Sequence, residues 1–371
     1  MEGRAHILPD VAFKWFTVPA FSAQHLADWC QLGVQACTPN FYLSPAFVLP
    51  AQTHLTPELE LQVGTLWCST GKLLALGLFH PRPASWRYPF SRRIAYHCKH
   101  SFQSGLLVHT DCGPDQLKVF LQNVLANQGG LQIDDLRTDT ELFTRLQAAT
   151  TDLPCQWLTT RQYERAILKE PATAFTQLPR KRHKENARKL RRLREHGTVT
   201  FSVTRSRELQ PEQLQSFLDN ERTGNRAETA LVASAGEEEF FQALMENARQ
   251  HGLVFNYELC LDGRIIASTI NFTLAGQGFA FKTAYDSKFA QFSPGTLVEY
   301  EFLRWCLEHQ PNLTEFESGA QPGSYIERLW RDKALVAHLS LIREGLPIQI
   351  FRLKQLGKQI TARVLNNSSQ A

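Results

Sequence analysis

The sequence predicts an α/β (α+β) chain made of tandem, related modules, each a mixed and mostly antiparallel sheet flanked by helices. Three observations lead there. The chain has 371 residues, more than one typical domain needs. Its apolar pattern switches repeatedly between the two-residue period of strands and the 3.6-residue period of helices. And a run of elements in the second half is partly repeated in the first. In each half a strand leads to a helix opened by Gly and Pro (Gly113-Pro114 and Pro294-Gly295), and the next strand starts a similar distance on, at Leu131 and at Leu313. The expected division is an N-terminal module over 1–160, a C-terminal module over 161–345, and a tail over 346–371, frayed at Asn366–Ala371.

The first module begins with a helical pattern over Ser22–Leu32, in which Leu26 and Trp29 share a face. A Pro- and aromatic-rich stretch, Phe41–Pro50, follows. Leu61–Cys68 and Lys72–Phe79 read as strands joined across Ser69-Thr70-Gly71. Gly105–Thr110 is a short strand. Gly113-Pro114 opens a helix to Ala126, with proline in the first turn, where its missing N–H costs nothing. Leu131–Asp134 is a strand, Thr138–Ala149 a helix, and Gln162–Leu178 a connection.

The second module opens with a basic helix, Arg180–His196, stopped by Gly197. Its apolar stripe is narrow: Ala187, Leu190 and Leu193. Thr198–Val203 is a strand, and Pro211–Arg222 a helix. Ser234 and Glu237 have capping-box spacing at the start of a second helix that ends at Gly252. Leu253–Cys260 and Arg264–Phe272 alternate cleanly around Asp262-Gly263, a strong hairpin turn. A second turn, Ala275–Gly278, leads to the strand Phe279–Tyr285. Ser293-Pro294-Gly295 opens a helix to His309. A strand over Leu313–Glu317, a helix over Ser324–Arg331 and a strand over Ala334–Ile342 complete the module.

The net charge of +4 conceals one local feature. Arg180–Arg194 holds nine basic residues and one acid, so the remainder of the chain is slightly acidic. Eight cysteines are scattered without C-x-x-C or zinc-finger spacing, which points to free thiols. Cys98 between His97 and His100 is the nearest approach to a metal cluster, and a polar loop explains it better; no metal is expected. The N-terminus lacks the pattern of a signal peptide. No apolar run reaches the ~18 to 20 residues of a membrane span. The cytoplasm is therefore the expected compartment.

Several stretches of the second module together resemble the GNAT acyltransferases. More narrowly, they look like the two-module branch that includes the cellulose-biosynthesis-type (CelD-like) acetyltransferases and the FemAB peptidyl transferases. The resemblance covers Arg180 to about Trp330. It rests on the basic helix Arg188–Gly197, the hairpin Leu259–Ala267, the run Phe281–Asp286 through Ser293-Pro294-Gly295, and the closing Gly319, Tyr325 and Trp330. Two places depart from the family: Asp219–Gly224 stands where an acidic residue and Ser-Trp-Lys-Gly are usual, and Ile326 where Lys often follows the late Tyr.

The resemblance implies transfer of an acyl group, in the first instance acetyl, from acyl-CoA to an amine. Phe281, Lys282, Thr283, Ala284 and Tyr285 would offer free strand edge to the pantetheine arm. Phe292, Ser293, Pro294, Gly295 and Thr296 would bring a helix start, with its free N–H groups and positive dipole end, to the phosphates. Glu317 or Glu221 would take the amine proton, with Asp286 a third carboxylate better explained as a turn residue. Tyr325 would protonate the departing thiolate, or Tyr285 would serve instead. The acceptor stays open among a sugar or sugar nucleotide, a polysaccharide or lipid-linked amine, and an amino-acid derivative. Two alternatives stand beside this reading. One is a ligase using aminoacyl-tRNA, with the basic helix on the RNA backbone. The other is a non-catalytic relative that binds a partner. The first module, whose helix start carries Asp115, is expected to be structural. Its aromatics Phe41-Tyr42 and Trp86-Arg87-Tyr88 are expected in the core or along the acceptor cleft.

Overall fold

A computed structural model describes residues 10–86, 88–223, 231, 234–345 and 348–353. Arg87, Gly224 and Asn366–Ala371 lie outside the described residues. The chain runs β1 (Val11–Thr17), α1 (Ala23–Gln35), α2 (Pro45–His54), β2 (Gln62–Cys68), β3 (Leu73–Arg82), β4 (Arg92–Ala95), β5 (Leu107–Val108), α3 (Pro114–Val124), β6 (Gly130–Arg137), α4 (Glu141–Thr150) and β7 (Cys155–Leu168). It continues through α5 (Pro171–Ala174), α6 (Arg180–Arg194), β8 (Val199–Arg205), α7 (Pro211–Thr223), α8 (Ala235–Gln250), β9 (Val254–Leu261), β10 (Arg264–Leu274), β11 (Gln277–Tyr285), α9 (Pro294–His309), β12 (Glu315–Glu317) and β13 (Asp332–Arg343).

The described strands form one sheet in the order β1-β2-β3-β4-β6-β13-β7-β12-β11-β10-β9-β8, with β5 on β3. The two halves mirror each other. Each has an antiparallel meander whose last strand pairs in parallel with the strand after a helix: β4 with β6, and β11 with β12. The closing strands are exchanged. β13, last in the chain, lies between β6 and β7, while β7 lies between β13 and β12. β7 and β13 pair from Asp332↔Ile167 to Arg343↔Cys155. Position 160 falls inside β7, which pairs with β13 on one side and β12 on the other.

Helices cover both faces. On one, α2, α7 and α8 pack Phe47, Phe217, Phe240 and Leu244 against Ile270, Phe272, Phe279 and Phe281. On the other, α6 and α9 pack Leu190, Leu193, Leu297 and Phe302 against Phe255, Tyr257, Leu259 and Ile266. The odd-numbered residues of β9 thus face α9, as strand alternation requires. Both hairpin turns have their central residues at positive φ: Asp262 (48°) and Gly263 (79°), Ala275 (49°) and Gly276 (77°). Such turns match the twist of the strands they join.

Four local expectations need correction. Gln162–Leu178 is not all connection: β7 occupies its first part. Thr159-Thr160-Arg161-Gln162 is exposed and polar, so backbone pairing to β13 holds this strand and no apolar alternation announces it. Ser324–Arg331 is not a helix but a 3₁₀ turn over Tyr325–Arg328, since β13 already begins at Asp332. Ala187 is exposed; the inner face of α6 is Asn186, Leu190 and Leu193, with Asn186 Nδ2 donating to the Arg182 carbonyl at 3.1 Å. Ser234 takes the N-cap position without a side-chain cap bond: the Glu237 N–H goes to the Ser234 carbonyl at 3.1 Å, and the Glu237 carboxylate goes to Lys99 and His100 of the first half. The start of the expected tail packs as well: Ile348 and Phe351 are buried beside Phe90 and Ile342.

Candidate active site

β11 and β12 pair only over Gln277–Phe279 and Glu315–Glu317, and then part. Beyond Phe279, β11 keeps its ladder to β10 on one side and has a free edge on the other. A bulge sits at the same point. Partners step from Asn271↔Ala280 to Ile270↔Lys282, leaving Phe281 as the extra residue. A bulge re-aims the side chains that follow it. Phe281 turns to the α7 face among His100, Phe102 and Phe240. Lys282 joins it there, with Nζ 3.6 Å from Glu221 on α7. Thr283 and Tyr285 turn to the α9 face, 3.6 and 3.5 Å from where a Cβ on Gly295 would sit.

A cavity of about 480 Å³ fills the opening and is walled from both faces of the sheet. Phe102, Asn220 and Glu221 line the α7 side; Ser293, Gly295, Thr296 and Glu299 line the α9 side. Phe281–Tyr285 forms one edge, and Gly319, Tyr325 and Trp330 close the other. Gly319 suits its place, with φ at 64° and the Phe102 ring 2.5 Å from a would-be Cβ.

On the α9 side the chain enters the helix through Ser293, whose φ of 55° is left-handed. Such a conformation costs of order 1 kcal/mol or more for a residue with a Cβ, and clusters at functional turns. The basic helix α6 lies alongside, with Lys189 Nζ donating to Ser293 Oγ at 3.2 Å and Arg192 over the Phe292 ring. A helix start thus lines one end of the cavity, with Lys189 held against Ser293 just behind the wall, an arrangement that favours an anion. Phe292 and Pro294 are buried and do not line the cavity.

On the α7 side, Glu221 accepts the Leu231 N–H at 2.8 Å and pairs with Lys282. Burial lowers the Lys282 pKa, and Glu221 and Glu237 offset part of that. Burial also lowers His100, to about 4, with Lys282 acting in the same direction.

Glu317 is 2 % exposed and does not line the cavity. Arg165 lies 3.4 Å and Arg137 3.6 Å from its carboxylate, which also accepts the Gly319 N–H at 3.3 Å. Asp286 accepts the Lys288 N–H at 3.0 Å, pairs with Arg264, and lies outside the cavity wall. Phe41 and Tyr42 are core residues. Phe41 stacks on Phe272, and Tyr42 Oη donates to the Ala280 carbonyl at 3.0 Å, bracing the bulge. Trp86 is 86 % exposed.

Two cavity residues carried no signal in the sequence. Phe102 arrives from the first half by tertiary packing. Glu299 sits mid-helix between Val298 and Tyr300, where a solvated glutamate is the ordinary expectation. It is instead 3 % exposed. Burial pushes its pKa up to about 8, against the bond that Tyr257 Oη donates to it at 2.9 Å and a weaker pull from Trp330.

Among the described residues no group of three or more His, Cys, Asp or Glu is placed to hold a metal, and no helix is long and apolar enough to cross a membrane.

Comparison with known proteins fits this geometry. Residues 180–325 match the acetyltransferase (GNAT) domain family. No curated protein matches the chain. Among solved structures, FemX is similar over 92 % of this chain and 99 % of its own, with a TM-score of 0.58 at 10 % identity. A conserved protein of unknown function from Bacteroides thetaiotaomicron is similar over 85 % of this chain and 97 % of its own (TM-score 0.54, 12 % identity). The C-terminal domain of a putative lysylphosphatidylglycerol synthetase from Agrobacterium fabrum is similar over 89 % and 95 % (TM-score 0.53, 10 % identity). At these identities the likeness is one of fold. Residues 180–325 thus match a GNAT acetyltransferase domain, within a fold that the chain shares with FemX along most of its length.

Proposed function

We propose that the chain is an N-acyltransferase that moves an acyl group, acetyl being the simplest, from acyl-CoA to an amine. The observation that carries this reading is the cavity through the sheet at the parting of β11 and β12, with a helix start and Lys189 on one face and a carboxylate on the other. The thioester donor enters from the α9 face. Its phosphates meet the N-terminus of α9 and Lys189, and its pantetheine arm lies along the free edge of β11. The amine, borne by a sugar, a polysaccharide or lipid precursor, or an amino-acid derivative, enters from the α7 face.

Glu221 is the base in this scheme. It lines the cavity on the acceptor side, whereas the Glu317 carboxylate is engaged by two arginines and positions Gly319. As the amine nitrogen attacks the thioester carbonyl, Glu221 takes its proton. The tetrahedral adduct collapses, the C–S bond breaks, and the Tyr325 hydroxyl protonates the departing sulfur. General base catalysis of this kind is worth about 10²- to 10⁴-fold. Glu221→Gln is expected to lower kcat by that order with the KM for donor little changed. Unchanged turnover in this variant would remove Glu221 from the scheme.

A second donor, aminoacyl-tRNA, has one observation in its favour: Arg180, Lys181, Lys184, Arg188, Arg191 and Arg194 leave the outer side of α6 exposed and strongly basic. It requires salt-sensitive tRNA binding that Arg191→Gln with Arg192→Gln weakens. Absence of such binding excludes it.

A further inference from the structure

Beside the cavity, on the same face as α9, lies a second hollow lined by Pro179, Arg182, Gly323, Ser324, Glu327, Arg328 and Arg331. Ser324 borders both, so the hollow adjoins the mouth of the cavity. Three guanidinium groups meet there from two parts of the chain, the first turn of α6 and the 3₁₀ turn that leads to β13. The two segments are tied together, since Arg331 Nη1 donates to the Gln177 carbonyl at 3.3 Å, just before α6.

The charges in the hollow are not balanced locally. Its one carboxylate, Glu327, is turned to Lys333 at 3.2 Å and accepts the Gly323 N–H at 3.1 Å. Arg182 shares Glu185 with Lys189. Arg331 has a neutral carbonyl as its partner. Arg328 is exposed and makes no ion pair or hydrogen bond to the described residues. Three arginines around one concavity, of which among the described residues only Arg182 pairs with a carboxylate, and shares it with Lys189, create a net positive potential and present planar forks suited to a phosphate.

This hollow is separate from the anion station at the start of α9, where Ser293 and Lys189 meet. A donor with one phosphate group needs one station. A donor with a diphosphate and a further phosphate needs two. We propose that Arg182, Arg328 and Arg331 form a subsite for a phosphate monoester carried by the donor, in CoA the 3′-phosphate of the ribose. The inference rests on the acyl-CoA reading. It adds that the donor is selected partly by a phosphate distinct from the reacting carbonyl, whose binding energy positions the thioester without touching it. A monoester dianion fits the three arginines better than the single charge of a diester. The same chemistry could come from an RNA backbone, and the experiment separates the two.

Isothermal titration of the full chain with CoA and with 3′-dephospho-CoA tests it, in the natural protein, in Arg328→Gln/Arg331→Gln and in Arg182→Gln. The natural protein is expected to bind CoA about tenfold or more tightly than dephospho-CoA, the usual scale of a charge-assisted contact. In the double variant the ratio falls towards one, and Arg182→Gln lies between. Dephospho-CoA affinity stays the same throughout, which also shows that the variants are folded. Equal affinity of the natural protein for the two ligands overturns the subsite while leaving the donor reading intact, and so does a ratio that survives in the double variant. Binding of neither ligand overturns the donor reading and the subsite with it. If bulk tRNA binds and the double variant weakens it, while CoA and dephospho-CoA bind alike, the arginines belong to an RNA backbone and the monoester assignment is overturned.

Discussion

Replacing Glu299 by glutamine removes one buried titrating group from the wall of the cavity and leaves its shape nearly unchanged. Burial raises this carboxyl from its ordinary 4.5 to about 8 in the folded chain. The folded state therefore holds a proton that the unfolded state releases between those two values. Stability from this group is full below pH 4.5 and is lost as pH rises to about 8. At 1.36 kcal/mol per pKa unit, the gap amounts to roughly 5 kcal/mol as an upper bound. Glutamine can still accept from Tyr257 and carries no charge to desolvate. Glu299→Gln is therefore expected to match the natural chain near pH 5 and to exceed it in stability by several kcal/mol near pH 9. Urea unfolding at half-unit steps of pH, followed by far-ultraviolet circular dichroism, reads the difference directly. Other groups, such as Asp135 and Glu237, titrate in both proteins and cancel in the comparison. If the two stability curves run parallel from pH 5 to 9, the carboxyl is not buried as a neutral acid.

Other expectations concern the frame of the cavity. Arg165→Met leaves Glu317 without its nearer buried cation and removes a donor to the Phe102 carbonyl. Breaking such a pair costs about 3–5 kcal/mol, whereas the double change Arg165→Met/Glu317→Leu is expected to recover much of that loss; denaturant midpoints for the three variants measure it. Gly319→Ala places a Cβ 2.5 Å from the Phe102 ring at a φ of 64°. It is expected to lower stability by about 1–3 kcal/mol and to impair turnover by moving the cavity wall. Tyr42→Phe removes the donor to Ala280 beside the bulge and is expected to cost about 1 kcal/mol, read from the melting temperature.

The second half of the fold was largely legible because its strands alternate and its turns are explicit. Asp262-Gly263 and Ala275-Gly276 mark two hairpins, and Ser293-Pro294-Gly295 marks the start of α9. The exchange of β7 and β13 could not be read. Pairing partners far apart in sequence leave no local trace, and the polar start of β7 hides a strand that backbone bonds hold. The bulge at Phe281 was equally silent, yet it sends Lys282 to Glu221 while Thr283 and Tyr285 face Gly295. Phe281–Tyr285, Ser293, Gly295, Thr296, Glu221 and Tyr325 come together in one cavity across positions distant in the chain. Glu317 stood in the sequence as a candidate base, and only the fold reveals the two arginines beside it. Glu299 and Phe102 carried no mark, since burial of one acid in a helix, or of one aromatic in a loop, is decided by what packs over it.

The central claim is that the cavity takes an acyl thioester from the α9 face. Gly295 is the position to probe, because a large side chain there projects towards Thr283 and Tyr285 and fills the donor side. The direct measurement is the change in melting temperature on adding acetyl-CoA to the natural chain and to Gly295→Phe, compared with each protein alone. The account predicts a clear rise for the natural chain and none for Gly295→Phe, whose own unfolding remains cooperative. No rise in the natural chain with acetyl-CoA, longer acyl-CoAs or CoA, or an equal rise in both proteins, would contradict it.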